Sequence, residues 1–447
     1  MVRLKKLFSI RNIYVCVAVL ASIYHIYTGL YRTINPQFDR SIHLLFGLCL
    51  LYLTSIEKRE TNSGKILDIL SILLSFGVCF YIIINYQGIT ERWGTPSTLD
   101  LVFGGLSILL IIDMGRRTIG LTLPIIAIVF LFYAYFGKYI PGYMGHAGYT
   151  YKRIIHQMYL TMEGIWGIPL GVSACNIFLF LLFGSFVNCT GIGQFYIDLA
   201  TALFGQSKGG PAKVGVVASG LMGSVSGSAV ANAAAVGSVT IPLMKKMGYK
   251  AEMAGAVEAA ASTGGQIMPP IMGAGAFVMA EFLAVPFSTV MIAAIIPALV
   301  YYIALYFSVH FEACRIGLEG SSVNRWKAVK PLLRRLYLLS PVFALFILLI
   351  VFRWTAMRTA IAGIVLCIII AIIDKEATFT LKTAIDACLD AARNAVTVIS
   401  SCAMAGLVVG VINLTGLGLK LTDLIIALGG DNLFLVLFMV MITCMIM

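Results

Sequence analysis

The chain has 447 residues, 60% of them hydrophobic and only 12% charged, with a formal net charge of +12. A soluble fold of this length has no interior large enough for that much apolar surface, so the composition excludes a soluble globular protein and leaves a polytopic membrane protein. The basic excess does not point to nucleic acid: its Lys and Arg residues sit in short loops between apolar runs, and no basic stripe with interleaved aromatics occurs.

Met1 to Lys6 is basic and leads into the first apolar run. No clear small-residue cleavage site follows, so this reads as a retained first helix with a cytoplasmic N-terminus. Spans are predicted at 13–31, 41–56, 66–85, 99–114, 118–136, 171–190, 250–283, 286–310, 336–352, 359–373 and 396–413, with a last one beginning near 433. Most have the length a helix needs to cross about 30 Å of hydrocarbon, but 250–283 is long and interrupted. The stretch 212–245 is apolar and broken at its middle by glycines and serines, which is expected of a re-entrant segment. If it re-enters, the loops 57–65, 115–117, 191–211, 311–335 and 374–395 become cytoplasmic. They gather Arg116, Arg117, Arg315, Arg325, Lys327, Lys330, Arg334 and Arg335, as the positive-inside rule requires. The opposite loops are poorer in positive charge, although 137–170 holds Lys138, Lys152 and Arg153.

Lys245, Lys246 and Lys250 read as interfacial anchors, and Trp93, Trp166, Trp326 and Trp354, all near predicted span ends, as an aromatic belt. The ten cysteines are scattered through apolar spans without a CxxC pair; they read as small buried hydrophobes. The expected organisation is a four-helix module over 1–117 and a first transport repeat over 118–311, with its hairpin at 212–245 and its broken helix at 250–283. A basic cytoplasmic loop with scaffold helices follows over 312–394, and the start of a second repeat over 395–447.

An internal repeat supports that division. Asn188-Cys189-Thr190-Gly191-Ile192-Gly193 recurs as Asn413-Leu414-Thr415-Gly416-Leu417-Gly418, an offset of 225 residues at which Asp198-Leu199 also recurs as Asp423-Leu424. Duplication accounts for this better than chance. Five predicted spans separate the copies, and an odd number inverts one relative to the other, the arrangement of many secondary transporters. Both Asn-x-Thr triplets end apolar spans, so they do not read as glycosylation sites.

Two stretches concentrate polar and flexible residues at membrane depth. In Gly223-Ser224-Val225-Ser226-Gly227-Ser228-Ala229-Val230-Ala231-Asn232 the expected structure is two half-helices meeting at a tip, where freed N–H groups face an anion and freed oxygens face a cation. The competing reading is a small-residue packing seam, since Gly223 and Gly227 have GxxxG spacing. In Ser262-Thr263-Gly264-Gly265-Gln266-Ile267-Met268-Pro269-Pro270, two glycines and two prolines predict an unwound break; the plainer alternative is a proline kink. Two breaks in neighbouring elements are a pointer to a transport site. Glu258 lies at membrane depth and is a candidate for ion or proton coupling, against the alternative that it faces a watery cleft. Glu281 reads as interfacial.

Enzyme readings find little support. No P-loop or HExxH is present, and a Ser226 protease would need one of His25, His43, His146, His156 or His310 in reach. A membrane channel or assembly partner without its own cycle is the alternative to transport.

At Gly223 to Asn232, Ala233 to Ser238 with Ile241-Pro242, and Gly264 to Pro270, the chain resembles the large membrane subunit of TRAP (tripartite ATP-independent periplasmic) transporters, most closely the TAXI-type branch, with the small subunit fused in front. The resemblance implies an all-α, inverted-repeat elevator in the inner membrane. It also implies a TAXI-type periplasmic solute-binding protein as partner, no ATPase subunit, no cofactor and Na⁺ as coupling ion, although the residues do not settle Na⁺ against H⁺. It implies a small anionic solute such as a dicarboxylate, a 2-oxoacid or a glutamate-like compound. Carried over, Ser226, Gly227, Ser228, Asn232, Gly265, Gln266, Pro269 and Pro270 would face solute, and Ser224, Ser226, Gly264 and Met268 would hold Na⁺. One departure stands out: the 225-residue offset maps Met222 onto Met447, so the second hairpin tip would begin one residue later. The chain is therefore expected to be truncated and to hold about half of a site.

Overall fold

The computed structural model describes residues 10–31, 34–92, 94–319, 325–374, 379–430 and 432–446, without the side chains of 325–328 and 444–446. The readings placed on Met1 to Lys6, Trp93, Met447 and the side chains of Arg325, Trp326 and Lys327 lie outside the described residues. Every regular element among the described residues is helical, and nine of the helices are long and apolar enough to cross a membrane.

In chain order the principal helices are α1 (Ile10–Tyr31), α2 (Pro36–Lys58), α3 (Asn62–Ile84), α4 (Thr98–Thr118), α5 (Thr122–Phe136), α6 (Ile168–Cys189), α7 (Ile192–Phe204), α8 (Gly210–Ser226), α9 (Ala229–Lys246), α10 (Ala251–Gly264), α11 (Ala274–Phe282), α12 (Phe287–Arg315), α13 (Leu336–Val351), α14 (Ala356–Ile373), α15 (Leu381–Thr415), α16 (Leu417–Gly429) and α17 (Leu433–Ile446). Local chemistry sets several boundaries. Asn35 caps α2, its side chain accepting from the Gln37 N–H at 2.9 Å, with Pro36 at the first helical position. Ser97 and Asp100 close a capping box on α4.

Two sequence expectations are corrected. The segment 374–395 is not a loop over its length: α15 is one 35-residue helix. Its charges Lys382, Asp386 and Asp390 recur every fourth residue, and Ala387, Ala391, Ala392 and Ala395 of the same turns are buried. This is an amphipathic helix, whose charges lower a hydropathy window without breaking the helix. Trp166 is not at an interface. It is fully buried, and its indole N–H donates to the Tyr159 carbonyl at 2.6 Å; Trp354, by contrast, is exposed.

The chain divides into two compact units, one of residues 1–34 and 172–395, the other of residues 35–171 and 396–447. The segment 1–117 is thus shared: α1 belongs to the first unit, α2 to α4 to the second. In the first unit, α1 is held close to its neighbours. The His25 ring stacks on Phe178 with centroids 4.0 Å apart, and a Cβ at Gly29 would lie 2.9 Å from both Leu179 and Ile361. Ala212, Val216, Met244, Tyr249, Ala254, Val257, Ala261 and Tyr302 form a core that joins α8, α9, α10 and α12. In the second unit, fully buried Asp68 pairs with Arg59 at 2.8 Å and Arg117 at 2.7 Å, and Arg117 also pairs with Asp113 at 2.7 Å. Arg117 is therefore a structural tie between α3 and α4.

The repeat is one of local structure. Thr190 Oγ1 donates to the Phe186 carbonyl at 2.8 Å, Gly191 takes φ +80°, and a 13-residue helix follows. At the other copy Thr415 Oγ1 donates to the Val411 carbonyl at 2.8 Å, Gly416 takes φ +66°, and a 13-residue helix again follows.

Candidate functional site

The first unit contains both breaks foreseen in the sequence. α8 ends at Ser226 because Gly227 adopts φ +61°, a left-handed conformation, and its N–H turns back to the Gly223 carbonyl at 3.1 Å. A Cβ at Gly227 would also lie 2.2 Å from the Met272 carbonyl oxygen, so the position is closed to other residues for two reasons. Ser228 then caps α9, its hydroxyl accepting from the Ala231 N–H at 3.3 Å. The result is a tight helical hairpin with its tip at Gly227-Ser228.

α10 ends at Gly264. Residues 265–273 are non-helical and include a cis Pro269–Pro270 peptide, and α11 resumes at Ala274. The break is attached to the hairpin through backbone. The Ile271 N–H donates to the Ser224 carbonyl at 3.2 Å, and the Gly273 N–H donates to the Gln266 carbonyl at 2.7 Å. A Cβ at Gly223 would lie 2.3 Å from Gly265 Cα. The glycines therefore do form a packing seam, as the alternative reading held, and the seam lies between the hairpin and the broken helix.

The polar side chains at this seam divide into engaged and unengaged. Ser224 Oγ donates to the Leu221 carbonyl at 2.6 Å. Fully buried Asn232 donates from Nδ2 to the Ser219 carbonyl at 2.8 Å, while its Oδ1 has no hydrogen-bond partner. Ser226 Oγ is likewise buried and unpartnered. α6 backs the tip: a Cβ at Gly184 would lie 3.0 Å from the Val225 carbonyl oxygen. One turn on, Asn188 Oδ1 is a third buried oxygen without a partner. Buried polar atoms are paired in the great majority of cases, so such oxygens near two helix breaks are candidates for ligand contact.

Glu258 lies deeper in the same unit and is fully buried. Hydroxyls from three helices surround its carboxyl group: Ser219 of α8 at 2.7 Å, Thr240 of α9 at 2.6 Å and Ser262 of α10 at 3.1 Å. Gly215 and Gly237 give it room; a Cβ at Gly237 would lie 2.8 Å from Glu258 Cγ.

A family model for the DctM component of tripartite ATP-independent periplasmic transporters matches residues 106–447, a stretch that holds the hairpin, the break and Glu258. The chain belongs to this DctM family. Among curated proteins it is similar to the 2,3-diketo-L-gulonate TRAP transporter large permease protein YiaN of Escherichia coli, at 32% identity over 139 residues, which are 31% of this chain and 32% of that one. It is 38% identical over 91 residues to the C4-dicarboxylate TRAP transporter large permease protein DctM of Pseudomonas aeruginosa, covering 20% of this chain and 21% of that one. It is 39% identical over 100 residues to the uncharacterized protein YgiK of Salmonella typhimurium, covering 22% and 23%. The chain thus spans less than a third of the length of these relatives.

Within this DctM-family chain, the structure brings Ser224, Ser226, Gly227, Asn232 and Gly265 together along the seam, while Gly264 packs against Tyr301 and Tyr302 of α12. Others are set apart from it or already used. The Ser228 hydroxyl serves the helix cap. The Gln266 side chain is exposed, while Pro269 and Pro270 are buried. The Met268 side chain faces away, lining an apolar cavity of about 400 Å³ with Val216, Gly220, Leu299, Tyr302 and Phe307. For a protease reading, the two histidines of this unit are engaged elsewhere, His25 with the Ala21 carbonyl and His310 with Lys213.

Sequence reading missed Ser219 and Thr240 as partners of Glu258. Neither stands out in the sequence, Ser219 between Ala218 and Gly220 and Thr240 between Val239 and Ile241, and the signal lies only in the antiparallel register of the hairpin, which brings both to Glu258. It also missed Lys213, which is buried, 3.1 Å from His310 Nδ1, with its ammonium over the Tyr306 ring.

Proposed function

We propose that this chain is the membrane permease component of a secondary active transporter that imports a small organic anion on an ion gradient. Solute is handed over by a TAXI-type periplasmic binding protein at the inner membrane, with the N-terminus of the permease in the cytoplasm and α1 to α4 acting as a fused small-subunit-like module. The observation that carries the reading is the seam itself: two interrupted helices in contact, with Ser226 Oγ and Asn232 Oδ1 buried beside it and unpartnered.

Interrupted helices at membrane depth are tolerated where they line a cavity or a site. The first-turn N–H groups of α9 favour a carboxylate. The names of two relatives point the same way, since 2,3-diketo-L-gulonate and C4-dicarboxylates are organic acid anions. Na⁺ is a hard cation served by oxygen ligands; the Ser224 and Ser226 hydroxyls with the Gly264 and Met268 carbonyls are its proposed set. Ser226 to Ser228, Asn232, Gly265, Gln266, Pro269 and Pro270 form the solute side, and the hairpin moves as an elevator.

The test is uptake of labelled C4-dicarboxylate, 2-oxoacid or glutamate by membranes holding the protein and its binding protein, with and without an inward Na⁺ gradient. Accumulation that needs the gradient and falls in Ser226→Ala supports the reading. Downhill flux without accumulation replaces it with a channel.

A further inference from the structure

Three close oxygen–oxygen contacts meet at Glu258, and a fourth joins one of its partners to the backbone. Ser219 Oγ and Ser262 Oγ lie 2.7 and 3.1 Å from its Oε1, and Thr240 Oγ1 lies 2.6 Å from its Oε2 and 3.0 Å from the Val236 carbonyl oxygen. The three hydroxyls carry one hydrogen each. With Glu258 ionised, Thr240 has to share its single hydrogen between Oε2 and the Val236 carbonyl. A carboxyl proton relieves that sharing. Glu258 Oε2–H then donates to Thr240 Oγ1, Thr240 donates its own hydrogen to Val236, and Ser219 and Ser262 donate to Oε1.

The surroundings favour the same state. On α8, Ser219 and Gly215 face the carboxyl group; on α9, Thr240 and Gly237; on α10, Ser262. From α12, Tyr302 packs beside α10, its hydroxyl donating to the Ala261 carbonyl at 2.8 Å. Among the described residues no Lys, Arg or His pairs with Glu258. The charged groups on these helices lie elsewhere: Lys213 is with His310, and Lys245, Lys246 and Glu252 are exposed. A carboxylate at membrane depth with no countercharge is costly, and its neutral form is less so.

We infer that Glu258 is a proton-carrying site, loaded while α8, α9 and α10 are closed together and unloaded when the hairpin parts from the broken helix. On opening, the carboxyl O–H breaks, its proton passes to water entering the gap, and a carboxylate remains that must be reprotonated before the helices close again. The role in coupling rests on the transport reading; the protonation state does not. Together with the Na⁺ proposed at the tip, this gives the group of α8, α9 and α10 two separate ion loads.

Two measurements test it. Infrared spectra of the full chain in nanodiscs, titrated with pH, are expected to contain the carbonyl band of a buried protonated carboxylic acid at neutral pH, missing in Glu258→Gln. In Thr240→Val, which keeps side-chain size but removes the acceptor of the carboxyl proton, the band shifts to higher frequency. A spectrum without that band, or one that Thr240→Val leaves unmoved, overturns the proposal. In proteoliposomes with the binding protein, Glu258→Gln is expected to keep solute counterflow and to lose at least about tenfold of the accumulation driven by a pH gradient. Accumulation at the wild-type level overturns the coupling role. Absence of counterflow in the wild type defeats the transport reading instead, and the infrared result stands apart from it.

Discussion

Two polar clusters share one hairpin and are built in opposite ways. At the tip, Ser226 Oγ and Asn232 Oδ1 are buried and unpartnered. Around Glu258 every carboxyl oxygen is engaged, by hydroxyls from three helices. A buried polar group left unsatisfied destabilises by about 1–3 kcal/mol, so the unpaired pair of oxygens beside the helix breaks is where the proposed ligand would complete the structure. A saturated cluster between three helices marks what must be undone before they separate.

The strongest way to break this comparison is to destroy the seam on which both clusters depend. In Gly223→Val the new side chain meets Gly265 Cα, which even a Cβ would approach to 2.3 Å. We expect destabilisation of about 3 kcal/mol, the upper range of overpacking, seen as loss of folded protein in a thermal size-exclusion assay. A wild-type midpoint would mean that the seam does not hold the clusters together.

Removing the saturated cluster comes next. Glu258→Ala deletes two interhelical contacts, to Ser219 and Thr240, and one within α10, to Ser262, and leaves a void. At about 0.6 kcal/mol for each hydrogen bond within a membrane bundle, plus the cavity, the loss is roughly 2–3 kcal/mol. It should appear as a lower thermal midpoint that added Na⁺ does not restore.

The tip should behave in the reverse way. Ser226→Ala removes a buried oxygen that has no partner, so stability is kept or raised by about 1 kcal/mol, while the Na⁺ concentration for half-maximal uptake rises about tenfold. A stability loss equal to that of Glu258→Ala would erase the distinction between the clusters. The smallest effect is expected from Thr240→Ser, which keeps the hydroxyl and deletes one methyl. Its midpoint should stay within about 1 kcal/mol of wild type, well above that of Thr240→Val, and a Ser variant as weak as the Val variant would show that the hydroxyl is not what matters.

Much of the tip was legible because its rules are local. Gly227 ends α8 by taking φ +61°, and Pro269 and Pro270 lack the N–H groups that a helix needs. The partners of Glu258 were not legible. Ser262 stands four residues away on the same helix, but Ser219 and Thr240 come from two other helices and carry no mark of their own. α15 was missed over its first half because Lys382, Asp386 and Asp390 lower its hydropathy, although their spacing is helical. Trp166 was misplaced because its position near a span end says nothing of what encloses it.

The repeat shows where the boundary lies. Its two copies share sequence, and they share a threonine bonded back to its own helix, a left-handed glycine and a 13-residue helix. Their burial differs: Phe195 and Tyr196 are buried in the first copy, whereas Lys420 and Leu421 at the same offset in the second are only half-buried. The sequence by itself determined the helices, the breaks and their caps, since backbone torsion and the need to pair N–H and C=O groups within apolar surroundings act over a few residues. Only the tertiary structure decided which of those groups end up unpaired at a seam and which close around a carboxyl group, because that depends on side chains brought together from helices far apart in the chain.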